Sequence, residues 1–298
     1  MRRGMTLIEI ILVLVVLGIL SAGSFKAIDA VYTRSAQAKA LTELSLQSQI
    51  VLDQISVLLY NRIPNSVIGY TPGGVCEPIS DLSTARPILE WIGTADDELL
   101  RGDYDGFVDM NASDKGTFTL STPNSTDITS TYPAEDFNLI FAGAFDGGSE
   151  DIDACSGAFG WHGNDSNLSY DITTGVNTIT TVDSVKQPDF IYEKYYIAKS
   201  GFAVARREGL NIAGCAGLTP PISDDTLLLF YDFQPYSGET FCADNQGVPS
   251  GKVAVLAKDT VGFSAQKTND VIRLSIDMQR TVRGRTCNVH ISKQKAVF

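Results

Sequence analysis

The sequence is poor in the groups that most often carry chemistry. Only two of its 298 residues are histidine, His162 and His290, which excludes a His-rich metal centre. Five cysteines, Cys76, Cys155, Cys215, Cys242 and Cys287, stand far apart. With no C-x-x-C pair, a structural zinc site has no framework. No basic run after the N-terminus exceeds Arg206-Arg207, and the formal net charge is −12. Nucleic acid is therefore not expected as a partner, because phosphate binding needs clustered cations. G-x-S-x-G and G-x-G-x-x-G are absent, and Gly251-Lys252 is not a P-loop, since Gln246 stands where the first Gly is required. Trp161-His162-Gly163 reads as a packing or surface feature, a lone His beside an aromatic in a Gly-rich stretch. Tyr192, Tyr195 and Tyr196, interleaved with Glu193 and Lys194, read as the alternating faces of a strand. Paired carboxylates in an acid/base context are also missing, so no enzyme activity is expected.

What is present is concentrated at the start. Ile10 to Leu20 contains no polar side chain, and from Met5 to Phe25 the only charge is Glu9. About 20 such residues at 1.5 Å each span a hydrocarbon layer of ~30 Å. Arg2 and Arg3 precede the run, which places the short N-terminus on the cytoplasmic side and the rest of the chain beyond the membrane. A secretory signal cut after Ser21-Ala22-Gly23 and a plain signal anchor are the competing readings. Both leave Glu9 without a reason, and a carboxylate inside an apolar span costs several kcal/mol.

Gly4-Met5-Thr6-Leu7-Ile8-Glu9 followed by the apolar run resembles the class III signal of type IV prepilins and type II secretion pseudopilins. The resemblance covers about 25 residues. It implies that a membrane prepilin peptidase cuts between Gly4 and Met5 and methylates the new amine of Met5. Residues 1–4 would be the leader and 5–25 the retained anchor and later filament core. Glu9 would pair with the α-amine of a neighbouring subunit, offsetting its desolvation cost and fixing axial register. The implied home is a bacterial inner membrane, crossed once, with the head in the periplasm. The implied partners are the prepilin peptidase, the membrane and other minor and major pilins or pseudopilins. Many major pilins carry Pro where this chain has Lys26, and most are nearer half this length. The sequence is more similar to large minor pilins or pseudopilins of the J or W type, whose filaments serve pili, secretion or DNA uptake. A membrane-anchored periplasmic ligand-binding module or enzyme is the alternative.

Beyond the membrane the helical pattern continues. Leu41, Leu44, Val51, Ile55 and Leu58 recur at three- and four-residue steps, with Ser48 as the polar member of the seam. Neither Pro nor Gly occurs between Ser24 and Arg62, and Ile63-Pro64 marks the expected end. Residues 26–63 thus read as an amphipathic continuation of one helix, roughly 85 Å long from Met5 to Arg62. A break near Ser21–Ser24 would instead give two helices.

Residues 64–298 read as a β-rich head, which makes the fold α+β: a long helix packed on an antiparallel sheet. Strands are expected over 137–145, 190–197, 226–233, 252–257, 261–265 and 271–278. The stretches 145–188 and 234–250 read as large surface loops. The strands from Val253 to Met278 with the charged turn 266–270 resemble the C-terminal sheet of J- or W-type minor pilins. Two acidic stretches suit hard cations. Asp103, Asp105 and Asp109 around Gly106 form a candidate calcium site, although the EF-hand register fails at Arg101 and Ala112. Asp146–Asp153 is a weaker one. Cys215 and Cys242 flank an expected strand and could close a disulfide; Cys76–Cys155 is a second candidate, and the spacing alone does not choose among the pairings.

Overall fold

A computed structural model describes residues 7–72, 75–141, 154–182, 186–188, 190–218, 221–244, 246–268, 271–282 and 287–297. Helix α1 runs unbroken over Leu7–Tyr60, 54 residues or ~80 Å. The alternative break near Ser21–Ser24 does not occur. The Ser21 and Ser24 hydroxyls donate to the carbonyls of Leu17 and Leu20, so the polar pair is absorbed within the helix. Residues 7–32 are exposed throughout. From Ala40 onward one face is covered, through Ala40, Leu44, Ser48, Val51, Leu52, Ile55 and Leu59. The seam is rotated from the expected one: Leu41 is half exposed, and Ala40 and Leu59 take the buried positions instead. Ser48 is tolerated there because its hydroxyl donates to the Ser45 carbonyl. The helix stops two residues before Arg62 because the next residues join a strand. The Asn61 carbonyl accepts from Thr94 N–H, and Ile63 N–H donates to the Ile92 carbonyl.

The head follows: β1 (Ile68–Thr71), β2 (Val75–Pro78), β3 (Ile88–Thr94), α2 (Asp96–Arg101), β4 (Asp109–Asp114), β5 (Thr119–Ser121), α3 (Ile128–Thr131) and β6 (Asn138–Phe141). Next come β7 (Tyr170–Gly175), β8 (Thr178–Thr181), β9 (Tyr195–Arg206), β10 (Leu227–Phe233), β11 (Glu239–Phe241) and β12 (Val248–Ser250). The chain ends with β13 (Lys252–Ala257), β14 (Thr260–Thr268), β15 (Val271–Val282) and β16 (Cys287–Val297). Eleven strands form one sheet in the order β2-β1-β3-β9-β6-β7-β8-β5-β4, which branches at the long β9 into β10 and then β13. β14, β15 and β16 form a second antiparallel sheet, and β11 pairs with β12 in parallel. Long helix plus antiparallel, β-rich head is the expected α+β arrangement.

Strand alternation gives the main sheet two packed faces. Leu89 and Trp91 of β3 point to the side of α1, with Val204, Leu227 and the inner residues of β14–β16. Ile88 and Ile92 point the other way, to Phe159, Trp161, Phe230, Phe233, Tyr236 and Phe241. Both stretches read as surface loops therefore contribute core. Residues 154–163 form a turn of π-helix and a 3₁₀ turn, residues 170–181 a hairpin, and residues 235–250 a 3₁₀ turn and the parallel ribbon. Packing is close enough that a Cβ on Gly160, at φ 81°, would sit 2.1 Å from the Pro235 carbonyl oxygen. A third core, around Tyr104, Phe137, Phe141 and Tyr195, supports the β4–β8 end.

Candidate functional site

The membrane-side site is built from the first turns of α1. Gly4 and Met5 lie outside the described residues. Glu9 stands in the first turn, exposed among Leu7, Ile8, Ile10, Ile11 and Leu12, all of them exposed. The most apolar stretch of α1, long enough to cross a membrane, is covered by nothing in the head. Such a surface is stable only in lipid or against other apolar helices. A carboxylate within it is costly and is rarely kept there without a function.

In the head, the proposed calcium ligands do not converge. Asp103 accepts from Arg101 Nε at 3.2 Å and from Thr126 Oγ1 at 3.3 Å. Asp105 accepts from the Phe107 N–H at 3.0 Å, and Asp109 from the N–H groups of Asn111 and Ala112 at 3.0 and 3.2 Å. Asp105 and Asp109 each close a local turn while Asp103 is tied to Arg101 and Thr126, and among the described residues no three His, Cys, Asp or Glu side chains gather as a metal group. Glu98, buried at 1% exposure, is neutralised by Arg101 and Lys199, each at 3.0 Å. Asp146–Asp153 lies outside the described residues.

The cysteines are placed with more consequence. Cys215 is joined to Cys242, and Cys76 to Cys155. Both bridges tie the cover of the outer sheet face to the rest: Cys155 starts the cover at the π-turn, and Cys242 follows β11.

Between the bridges lies a group that sequence reading placed only in part. His162 is buried at the base of the cover, at φ 55°, with Nδ1 2.8 Å from Asp244 Oδ2. Its Nε2 lies 3.4 Å from Glu90 Oε1, within ion-pair range but not aligned as a hydrogen bond. The ring stacks on Tyr70 at 4.1 Å, and Tyr70 Oη accepts from Gln246. Burial pushes the Glu90 carboxyl up to about 7, with Asp244 adding to the rise and His162 opposing it. For His162, burial works against the imidazolium, but Glu90 and Asp244 outweigh it and the pKa ends above its ordinary value. Both ring nitrogens face carboxylates, so the geometry is that of a structural clamp. Glu90 had one legible signal: a single carboxylate inside the apolar run Ile88-Leu89-Glu90-Trp91-Ile92, as Glu9 is inside the membrane run. Asp244, in a turn-rich stretch of many polar residues, had none.

Comparison with known proteins bears on one end of the chain. A search of curated proteins and a search of solved structures found no match. A family model described as the prokaryotic N-terminal methylation motif matches residues 1–25, the same segment that holds Gly4, Met5, Glu9 and the uncovered apolar turns of α1. This chain therefore opens with the class III signal of type IV prepilin-like proteins.

Proposed function

We propose that this protein is a minor pilin or pseudopilin that primes or caps a type IV pilus or a type II secretion-type filament. The observation that carries the reading is the single helix α1, apolar and uncovered over its first turns, bearing Glu9 alone, and rigidly continuous with a large head. In this reading the peptidase cuts between Gly4 and Met5 and methylates Met5. The helix anchors the subunit in the inner membrane with the head in the periplasm. On assembly the same apolar surface moves from lipid into a helix bundle. There the Glu9 carboxylate pairs with the α-amine of a neighbour, and the pairing sets the axial register. The size of the head and Lys26 in place of Pro support a minor role, of the J or W type. The mature protein then acts by contact, with the peptidase and sister pilins as partners.

The intact mass of the membrane-extracted chain tests this. Co-expression with a prepilin peptidase is expected to remove Met1–Gly4 and add one methyl group. An uncut chain beside a correctly cut control prepilin would overturn the proposal in favour of an anchored ligand binder. Glu9→Ala is expected to keep processing but block entry into filaments, with Glu9→Asp milder; equal recruitment of Glu9→Ala and wild type contradicts the pairing.

A further inference from the structure

Four asparagines of the head open the pattern Asn-x-Ser/Thr with no Pro at the middle place: Asn111-Ala112-Ser113, Asn124-Ser125-Thr126, Asn164-Asp165-Ser166 and Asn167-Leu168-Ser169. This is the acceptor pattern of N-glycosylation, in which the asparagine amide of an exported surface segment carries the sugar. Asn111 and Asn167 also have an aspartate two places earlier, Asp109 and Asp165, the longer acceptor that bacterial oligosaccharyltransferases take. So short a pattern recurs by chance, and the fold must choose among the copies. A transferase has to hold the amide and the third-position hydroxyl together, clear of the fold. Asn164 donates its amide to the Cys155 carbonyl at 2.6 Å, and Ser166 Oγ lies between Lys186 Nζ at 2.7 Å and the Tyr236 carbonyl at 3.0 Å. Beyond Asn167, Ser169 is fully buried and donates to Asn138 Oδ1 at 2.7 Å. Asn124 is exposed, but Ser125 beside it is buried, and Thr126 is tied to Asp103 through its N–H and its hydroxyl. Freeing that turn means drawing Ser125 out of the interior.

Asn111 differs on each count. β4 is the last strand of the main sheet and meets β5 only at its ends, Asp109 with Ser121 and Asp114 with Thr119. Residues 110–113 between those ends leave the ladder as a bulge. No side chain of β4 is buried, and Asp109 to Ala112 are all exposed. Asp109 Oδ1 accepts from the backbone N–H groups of Asn111 and Ala112, which shapes the turn. The side-chain amide of Asn111 makes no hydrogen bond among the described residues. The Ser113 hydroxyl bonds within the same hairpin, to the Asp109 carbonyl at 2.7 Å and from the Ser121 N–H at 2.9 Å. Lifting this edge turn frees amide and hydroxyl together and moves no core residue.

We infer that Asn111 is an N-glycosylation site, modified once the head has crossed the membrane. The donor is an oligosaccharide carried on a polyprenyl diphosphate, and the catalyst is an oligosaccharyltransferase. Asn111 Nδ2 attacks C1 of the first sugar. The N–C1 bond forms, the C1–O bond to the diphosphate breaks, one amide proton passes to the enzyme's base, and polyprenyl diphosphate leaves. The glycan then stands on the open edge of the sheet, flanked in the chain by Phe107 and Met110, 55% and 49% exposed. An open edge with apolar neighbours templates pairing with other chains, and a bulky hydrophilic group placed there blocks it. The inference rests on the head lying beyond the membrane, which the filament reading and the anchored-binder reading share.

The test co-expresses the full chain with a prepilin peptidase, a bacterial oligosaccharyltransferase and a donor lipid whose glycan has a known mass. The control is a secreted protein with a flexible tail ending in the same five residues, Asp-Met-Asn-Ala-Ser. The intact mass of the chain is expected to rise by one glycan, and peptide mapping to place it on Asn111. Asn111→Gln and Ser113→Ala are each expected to abolish the rise, and Ser113→Thr to keep it. Asn124→Gln, Asn164→Gln and Asn167→Gln are expected to leave it unchanged. A glycan on any of those three asparagines in place of Asn111 overturns the inference. So does a bare chain: beside a modified control the fault lies in the placement of the turn, and beside a bare control it lies in the sequence. Loss of Met1–Gly4 is read from the same spectrum. A cut chain without glycan therefore sinks this inference alone, and an uncut chain with glycan sinks the filament reading alone.

Discussion

The two faces of the main sheet are covered by different means. On one face a single regular helix supplies the cover: seven buried residues of α1 at three- and four-residue steps. The β14–β16 sheet holds it in place, with Lys295 on Asp53 at 2.6 Å, Arg280 on Glu43 at 2.7 Å and Lys293 on the Ser45 carbonyl at 2.8 Å. On the other face the cover is irregular, built from one π-turn, two 3₁₀ turns and a short ribbon. Such segments form few repeating backbone hydrogen bonds and cannot dock by periodicity alone. There the chain uses two disulfides and a buried Glu–His–Asp cluster. A regular element is held by burial; an irregular one needs crosslinks and specific polar contacts.

Each face has its own reporter, Trp91 on the side of α1 and Trp161 on the other. Trp161→Phe and Trp91→Phe versions of the full-length protein in detergent isolate them. The largest effect is expected from reducing both disulfides. By chain entropy the Cys76–Cys155 bridge, spanning 79 residues, contributes about 4.5 kcal/mol and the Cys215–Cys242 bridge, spanning 27, about 3.5 kcal/mol. Trp161 emission should shift to the red at lower denaturant than Trp91 emission. Coincident transitions would show that the two faces unfold as one. Next, Leu52→Ala removes a fully buried side chain under α1 and is expected to cost about 2–5 kcal/mol in urea unfolding. A loss under 1 kcal/mol would mean that α1 is held by its flanking cations instead of its apolar seam.

The third expectation concerns pH. Glu90 has its pKa raised from 4.5 to about 7 in the fold, and His162 is raised above 6.5. Both groups bind protons more tightly folded than unfolded. Their contribution is therefore full below about pH 4.5 and is lost as pH rises through about 7. Stability of the outer cover should fall from pH 5 to pH 8, the reverse of the trend set by an ordinary paired carboxylate. Glu90→Gln, which cannot ionise, should flatten most of this fall; an unchanged slope would remove Glu90 as its source. By NMR the His162 imidazole should titrate above its ordinary range, held there by Glu90 and Asp244. The smallest effect is expected from Lys295→Ala. Its pair with Asp53, whose pKa is lowered chiefly by the hydrogen bond from Lys295, is screened by solvent, so urea unfolding should show little change.

Legibility followed regularity. β10 and β13 lie where apolar runs placed them, because short runs rich in β-branched and aromatic residues have few alternatives. β3 was missed because Glu90 interrupts its run, and the reason for that carboxylate, His162 packed over it, lies 72 residues away. β16 was missed because Lys293 and Lys295 break its alternation; their ammonium groups reach α1, which no local pattern can show. β9 begins at Tyr195 and runs on to Arg206, beyond the aromatic run around Tyr192 to Tyr196, because β3 and β10 supply hydrogen bonds along it.

The sequence by itself determined the anchor. A methylation motif, about twenty apolar residues and one carboxylate follow one another in the chain, and from Leu7 onward they lie in a single helix, whose backbone hydrogen bonds are all local. It also determined that the helix continues into the head, since nothing between Ser24 and Arg62 interrupts it. Only the tertiary structure decided which helix face is buried, which cysteines meet and what His162 does. Those outcomes depend on contacts between residues 27 to more than 200 positions apart, and their partners are ordinary polar residues until the fold brings them together.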